Sequence, residues 1–199
     1  MKLKLDNRYE RSNLVEYKNQ EYYDIDIRGM TRRLPVVKVN DNLWIASFVI
    51  LGDVELTNLC ADELKKELKD LDFDYLVGPE AKVLPLLHIV AERLGFKEYI
   101  VCRKEVKAYM KDVIVYDVKS ITTKNKQQLV LNGPDVERIK GKRVVLLDDV
   151  VSTGGTFNSM EKILEKAGAK IVARSAVLKE GNSYKKDVIY LQDLPIFVK

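Results

Sequence analysis

Thirteen consecutive residues carry most of the chemistry available to this chain: Val144-Val145-Leu146-Leu147-Asp148-Asp149-Val150-Val151-Ser152-Thr153-Gly154-Gly155-Thr156. Four apolar residues make a buried strand that runs into two adjacent acids. In an open α/β sheet, ligands gather at the carboxyl ends of the strands. Two carboxylates placed there are costly to bury without partners, and sugar hydroxyls or a hydrated divalent cation would satisfy them. Ser152, Thr153, Gly154, Gly155 and Thr156 then open a helix. Small hydroxyl and glycine residues let backbone N–H groups close around an anion, and the helix N-terminus adds a favourable dipole. The stretch reads as acids for a ribose followed by a cradle for its 5′-phosphate. The plain alternative is a strand–helix turn that happens to be acidic and small. No Gly-Lys-Ser/Thr follows the glycines, so this is not a Walker A loop, and the G-x-G-x-x-G dinucleotide fingerprint is absent.

Other reactive residue types are sparse. The one histidine, His88, sits in an apolar helical run and reads as a packed helix residue, not as part of a triad or metal cluster. Cys60 and Cys102 are isolated and read as buried free thiols of a reducing compartment. Five cations fall between Lys97 and Lys111, ordinarily a solvated face, but Arg103 and Lys104 stand where a strand meets its loop.

The elements that must position these groups follow from periodicity. Tyr23-Asp24-Ile25-Asp26-Ile27 alternates as a half-buried strand does. Pro35 to Val39 and Leu43 to Val49 form a second extended pair around Asn40-Asp41-Asn42. Leu56, Leu59, Cys60, Leu64, Leu68 and Leu71 then make one helical face, with Asp53 as a cap. A run at Phe73 to Val77, a helix from Leu84 to Leu94 stopped by Gly95, and a run at Tyr99 to Cys102 come next. Lys111 to Asn132 reads as a long extended excursion with a mobile tip, of a length that is usually functional inside a compact domain, with an ordinary surface hairpin as the competing reading. A turn at Asn132-Gly133-Pro134-Asp135 precedes a short helix near Val136 to Ile139. After the central strand, a helix runs from about Thr156 to Ala167 with Gly168 as its stop, and Ile171 to Leu178 and Val188 to Leu191 supply the last strands. Apolar runs without alternation, separated by amphipathic helices, predict an α/β fold whose parallel sheet is flanked by helices, with a small β-rich N-terminal addition.

All thirteen motif positions resemble the phosphoribosyl pyrophosphate (PRPP) motif of type I phosphoribosyltransferases, and the wider resemblance runs from about Phe73 to Leu178, nearest to their adenine phosphoribosyltransferase-like branch. The resemblance implies the Rossmann-like fold of that family, with residues 1–52 as a hood and 53–199 as a PRPP-binding core carrying a flexible loop at 111–131. It implies transfer of the 5-phosphoribosyl group of PRPP to a purine, adenine favoured, with release of pyrophosphate in nucleotide salvage. A 6-oxopurine (xanthine or guanine) acceptor, or a PRPP- or nucleotide-sensing regulator without catalysis, is the alternative. By position, Gly78-Pro79-Glu80-Ala81-Lys82 resembles the pyrophosphate loop, so Glu80, Ala81 and Lys82 are expected there with Arg103 and Lys104. Adenine enzymes commonly show Glu-Ala-Arg-Gly at this loop; here Lys82 and Val83 replace the last two. Where such enzymes often carry Glu-Tyr-Gly in the flexible loop, this chain has Lys119-Ser120-Ile121-Thr122-Thr123. Asp148 and Asp149 are expected to orient the ribose and, directly or through hydroxyls or water, to hold Mg²⁺; with Lys104 they are the expected catalytic groups. Ser152, Thr153, Gly154, Gly155 and Thr156 are expected at the 5′-phosphate. No residue stands out as general base. The base pocket is expected from the hood, Leu34 to Phe48 and the tail near Phe197; Trp44 and Phe48 could stack on a purine, though a buried core role is favoured for each. A homodimer follows from the resemblance alone.

Composition narrows the rest. Hydrophobic residues are 46% and charged residues 32% of 199, which excludes a disordered or collagen-like chain. A net charge of +4 is too small for a nucleic-acid coat. The longest uncharged apolar stretch, Leu43 to Gly52, is well short of the roughly 20 residues a helical membrane span needs. Met1 to Asp6 lacks the apolar core of a signal peptide, so a cytoplasmic protein is expected. The first forty residues show no recognition-helix pattern, which argues against a DNA-binding regulator.

Overall fold

The computed structural model describes residues 13–118 and 127–199. Its centre is a parallel sheet in the order β11-β10-β9-β5-β6: β11 (Ile189–Leu194), β10 (Lys170–Glu180), β9 (Arg143–Val151), β5 (Tyr75–Pro79) and β6 (Ile100–Cys102). Successive side chains on a strand point to opposite faces, and on β9 both faces are buried. Val145 and Leu147 join one apolar cluster and Val144 and Leu146 the other. The first cluster is made with α1 (Val54–Leu68) and α2 (Leu84–Arg93), the second with α4 (Gly155–Lys166). An apolar run without alternation is thus the signature of a strand covered twice.

The remaining strands form two smaller units. An N-terminal sheet has the order β1-β12-β4-β3-β2, with β1 (Leu14–Glu16), β2 (Tyr22–Ile27), β3 (Met30–Asn40) and β4 (Leu43–Ala46). Its fifth strand, β12 (Ile196–Val198), arrives from the other end of the chain and pairs with both β1 and β4. The expected excursion is a hairpin of β7 (Ile114–Val118) and β8 (Gln127–Leu131), packed over α4; residues 119–126, with the departure from the family pattern, lie outside the described residues. Reciprocal backbone bonds between Arg103 and Val130, of 2.9 and 2.8 Å, fasten its base to the end of β6. Short α3 (Gly133–Ile139) follows.

Three sequence expectations shift. The second extended strand begins at Met30, not Pro35, because Arg28 and Gly29 adopt positive φ and turn β2 directly into β3. β9 does not end before the acids but carries them within it, through Val151. His88 is exposed on the outer side of α2, edge-on to Tyr99 at 5.9 Å, rather than packed.

Asp53 joins the N-terminal sheet to the core. Its carboxylate accepts from the Leu56 N–H at 3.0 Å, capping α1, and from Arg32 Nε of β3 at 2.6 Å. The Arg32 hydrogen bond holds the Asp53 carboxyl below its ordinary range, against an opposing effect of burial and with help from the Leu56 N–H. Loss of such a cap costs about 1–2 kcal/mol, so Asp53→Ala is expected to lower stability by that amount in urea unfolding at pH 7. Because the folded-state pKa is depressed, this contribution exists above the unfolded value and vanishes as pH falls through the folded one. Wild type and variant should therefore converge below about pH 4; a constant difference down to pH 2 would refute the role of the carboxylate.

Candidate active site

The carboxyl ends of β5, β9 and β10 open into a cleft of about 840 Å³. Asp148 and Asp149 stand at its floor, 7% and 8% exposed. Each folds its side chain onto the next backbone amide: Asp148 Oδ1 accepts from Asp149 N–H at 2.9 Å, and Asp149 Oδ1 from Val150 N–H at 3.0 Å. Asp149 Oδ2 is buried with no hydrogen-bond partner. Burial, then the charge of Asp149, pushes the Asp148 carboxyl well above its ordinary range; Lys82 acts weakly the other way. With Asp149 Oδ2 unpartnered among the described residues, the pair is a site for a hydroxyl donor or a cation.

The cradle follows immediately. Gly154 is the N-cap of α4 in the left-handed conformation, φ 77° and ψ 14°. No side chain caps the helix and no acid occupies its first turn. The first-turn N–H groups, which have no intrahelical partners, are left for a ligand anion. Ser152, Thr153, Gly154, Gly155 and Thr156 all line the cleft, with Ser159 below them donating to the Gly155 carbonyl at 2.8 Å.

The opposite wall is the loop after β5. Glu80, Ala81, Lys82 and Lys104 line the cleft. Gly78, within β5, permits the strand to pack closely against α2 and β9: a Cβ there would meet Leu87 Cδ2 at 2.9 Å and the Leu147 carbonyl oxygen at 3.1 Å. The Glu80–Ala81 peptide is cis. Two residues depart from the expected assignment. Arg103 does not line the cleft; its guanidinium donates to Glu80 Oε1 at 3.0 Å. Glu80 Oε2 accepts from the Lys104 backbone N–H at 3.1 Å. The Glu80 carboxylate thus joins the β5 loop to the end of β6 rather than presenting itself to an anion, which it would repel.

The rim comes from the N-terminal sheet. Ile45, Ala46, Ser47 and Phe48 line the cleft, as does Leu194. Trp44 does not; it stacks on Tyr17 with centroids 4.1 Å apart and planes at 15°. Leu34 and Phe197 are buried in the core. Sequence reasoning missed Glu180, at the end of β10. It lines the cleft, and burial pushes its carboxyl above the ordinary range against the opposing effect of a hydrogen bond with Ser152. The only available signal was its place as the acid ending an apolar strand.

Neither cysteine takes part. Both are free and buried, and burial pushes each thiol up to about 12. No helix among the described residues is long and apolar enough to cross a membrane.

The chain resembles adenine phosphoribosyltransferases. That of Thermosipho africanus is 27% identical over 168 residues, 83% of this chain and 94% of the relative. The crystal structure of the Thermoanaerobacter pseudethanolicus enzyme superposes with a TM-score of 0.61 at 24% identity, over 71% of this chain and 82% of that one. The Trypanosoma brucei enzyme, solved with AMP, pyrophosphate and ribose-5-phosphate, gives 0.58 at 19% identity, over 70% and 65%. The two structures share the fold described above. The family model described as phosphoribosyl transferase domain matches residues 55–194. That match spans well over half of the chain and takes in the acids, the cradle and both cleft walls of the core, and the chain belongs to the phosphoribosyl transferase domain family.

Proposed function

We propose that the protein transfers the 5-phosphoribosyl group of PRPP to adenine, releasing pyrophosphate, as a purine-salvage enzyme of the cytoplasm. One observation carries the reading: two buried acids, one with an unpartnered oxygen, share a cleft with an uncapped helix N-terminus opened by a left-handed glycine. The relatives named above act on adenine, which favours that base over a 6-oxopurine.

In this reading the cradle from Ser152 to Thr156 binds the 5′-phosphate, so that C1 of the ribose lies between the walls. Asp148 and Asp149 accept from the ribose hydroxyls and orient the ring. A purine ring nitrogen attacks C1 while the bond from C1 to the pyrophosphate oxygen breaks. Negative charge builds on the leaving group, and Lys82 and Lys104, both exposed and both on the cleft, neutralise it. Arg103, held by Glu80, contributes by fixing the wall that carries them. The base sits under Ile45 to Phe48 of the hood. The division into a hood at 1–52 and a core at 53–199, with closure by 111–131, belongs to the same reading; closure would exclude water that otherwise hydrolyses PRPP.

The site also suits Mg²⁺. Among the described residues no three-ligand cluster exists, and Mg²⁺ is commonly held by one or two carboxylates together with substrate phosphates. Asp148 and Asp149 would hold it, directly or through hydroxyls and water. When bound it supplies further charge neutralisation at the pyrophosphate.

The test is pyrophosphate release from PRPP and Mg²⁺ with adenine, guanine, hypoxanthine and xanthine in parallel. Adenine is expected to give turnover and the 6-oxopurines little. Release with guanine or xanthine alone would overturn the base assignment, and release with none would overturn the enzyme reading. The proposed homodimer is checked by sedimentation velocity, where a monomer at micromolar concentration would refute it.

A further inference from the structure

The phosphate cradle has a backing that lies outside its motif. Gly154 is buried against Tyr184, from the connection between β10 and β11. A Cβ on Gly154 would lie 2.0 Å from Tyr184 Cδ2 and 2.4 Å from Cε2, so the ring rests directly on the glycine backbone. Tyr184 is 4% exposed, and its ring also packs on Phe157 of α4, with centroids 5.8 Å apart. Its hydroxyl is buried without a hydrogen-bond partner, so the ring does the contacting.

The same connection is tied to α4 by charge. Lys186 Nζ bonds Glu161 and, at 3.2 Å, Asn158 Oδ1. Glu161 is 5% exposed and takes a second bond, 2.5 Å, from Arg174 Nε of β10. Burial raises the Glu161 carboxyl, but the bonds from Lys186 and Arg174 outweigh it and the net shift is downward. The carboxylate therefore stays charged and keeps both cations. Residues 158 and 161 lie within the first two turns of the helix whose N-terminus is the cradle.

We propose that Tyr184 is a positioning residue for the 5′-phosphate, and that Lys186 holds it there through α4. A left-handed residue at a helix start can relax into other conformations when nothing backs it, above all when it is glycine. The Tyr184 ring removes that freedom before the ligand arrives, so the N–H groups of the cradle are ordered in advance. Preorganisation of this kind appears as affinity for the group bound. The proposal rests on the reading of this cleft as a PRPP site.

The experiment measures binding of ribose 5-phosphate by calorimetry to wild type, Tyr184→Ala, Tyr184→Phe and Lys186→Met, with KM for PRPP and for adenine beside it. Tyr184→Ala is expected to weaken ribose 5-phosphate and raise the KM for PRPP about tenfold, a loss of about 1.4 kcal/mol, with the KM for adenine within about twofold. Tyr184→Phe, which keeps the ring, should match wild type. Lys186→Met should shift the same two quantities in the same direction, about threefold, while leaving the core packed. Unaltered ribose 5-phosphate binding by Tyr184→Ala, or equal losses for both substrates, would overturn the proposal. Should Tyr184→Ala fail to fold, Lys186→Met decides, and wild-type affinity from it is the overturning result. Failure of the wild type itself to bind ribose 5-phosphate would instead bring down the reading of the cleft, and this inference with it.

Discussion

Asp148→Asn with Asp149→Asn is expected to cut turnover of PRPP by at least about 10³ and to leave the protein folded. The two side chains are nearly isosteric with the originals, and their Oδ1 atoms can still accept from the Asp149 and Val150 amides. What disappears is charge. In the free protein that charge is a burden: burial and mutual repulsion already drive Asp148 toward its protonated form. The unliganded double variant should therefore melt no lower than wild type in calorimetry. In the proposed complex the same charges would orient the ribose hydroxyls and help to hold a cation beside the leaving group. Loss of an electrostatic contribution of this kind costs about 10²–10³ in rate per group, so a fall of at least about 10³ in kcat/KM for PRPP is expected, a barrier rise of about 4 kcal/mol. If the two act on one ribose, as proposed, their single variants should not add. Wild-type turnover by the double variant would remove both residues from the mechanism.

Gly154→Ala produces the second large effect, and through a different cause. Its φ of 77° is one that a side chain disfavours by about 1–2 kcal/mol. The new Cβ would also fall 2.0 Å from the Tyr184 ring, which is held by Phe157 and cannot move freely. Overpacking of a filled site adds about 1–3 kcal/mol. Both the melting temperature and PRPP affinity should fall sharply, the KM rising by at least about tenfold. Gly155→Ala is the control for stability: the nearest atom to its Cβ is Thr153 Oγ1 at 3.9 Å, so its melting temperature should stay near that of wild type. Equal stability of Gly154→Ala and Gly155→Ala would refute the close contact.

Much of this was legible from residue types alone. The helix faces of α1 and α4 appear as apolar steps of three and four, and Leu56, Cys60, Leu64, Leu68, Phe157, Met160, Ile163 and Leu164 are all buried. The doubly covered β9 appears as an unbroken apolar run. Such signals are local, because each depends on periodicity within one element. β12 was harder. Three residues at the tail are too few for a period, and they become a strand only because β1 and β4 present open edges on either side. His88 was misread because its helix buries other positions, and which face turns inward is set by the sheet it packs on.

By itself the sequence determined the order acid, acid, small residues, helix, and with it the placing of paired acids beside a helix N-terminus. Those groups are contiguous, so any strand–turn–helix path places them side by side. Tertiary structure alone decided which cations face the cleft. Lys82 and Lys104 line it, while Arg103 pairs with Glu80, a partner 23 residues away. It also decided that Trp44 stacks on Tyr17 and that Tyr184 backs Gly154. The reason is one of range: a bond between residues distant in sequence depends on how sheets and connections pack, and no local pattern encodes that distance.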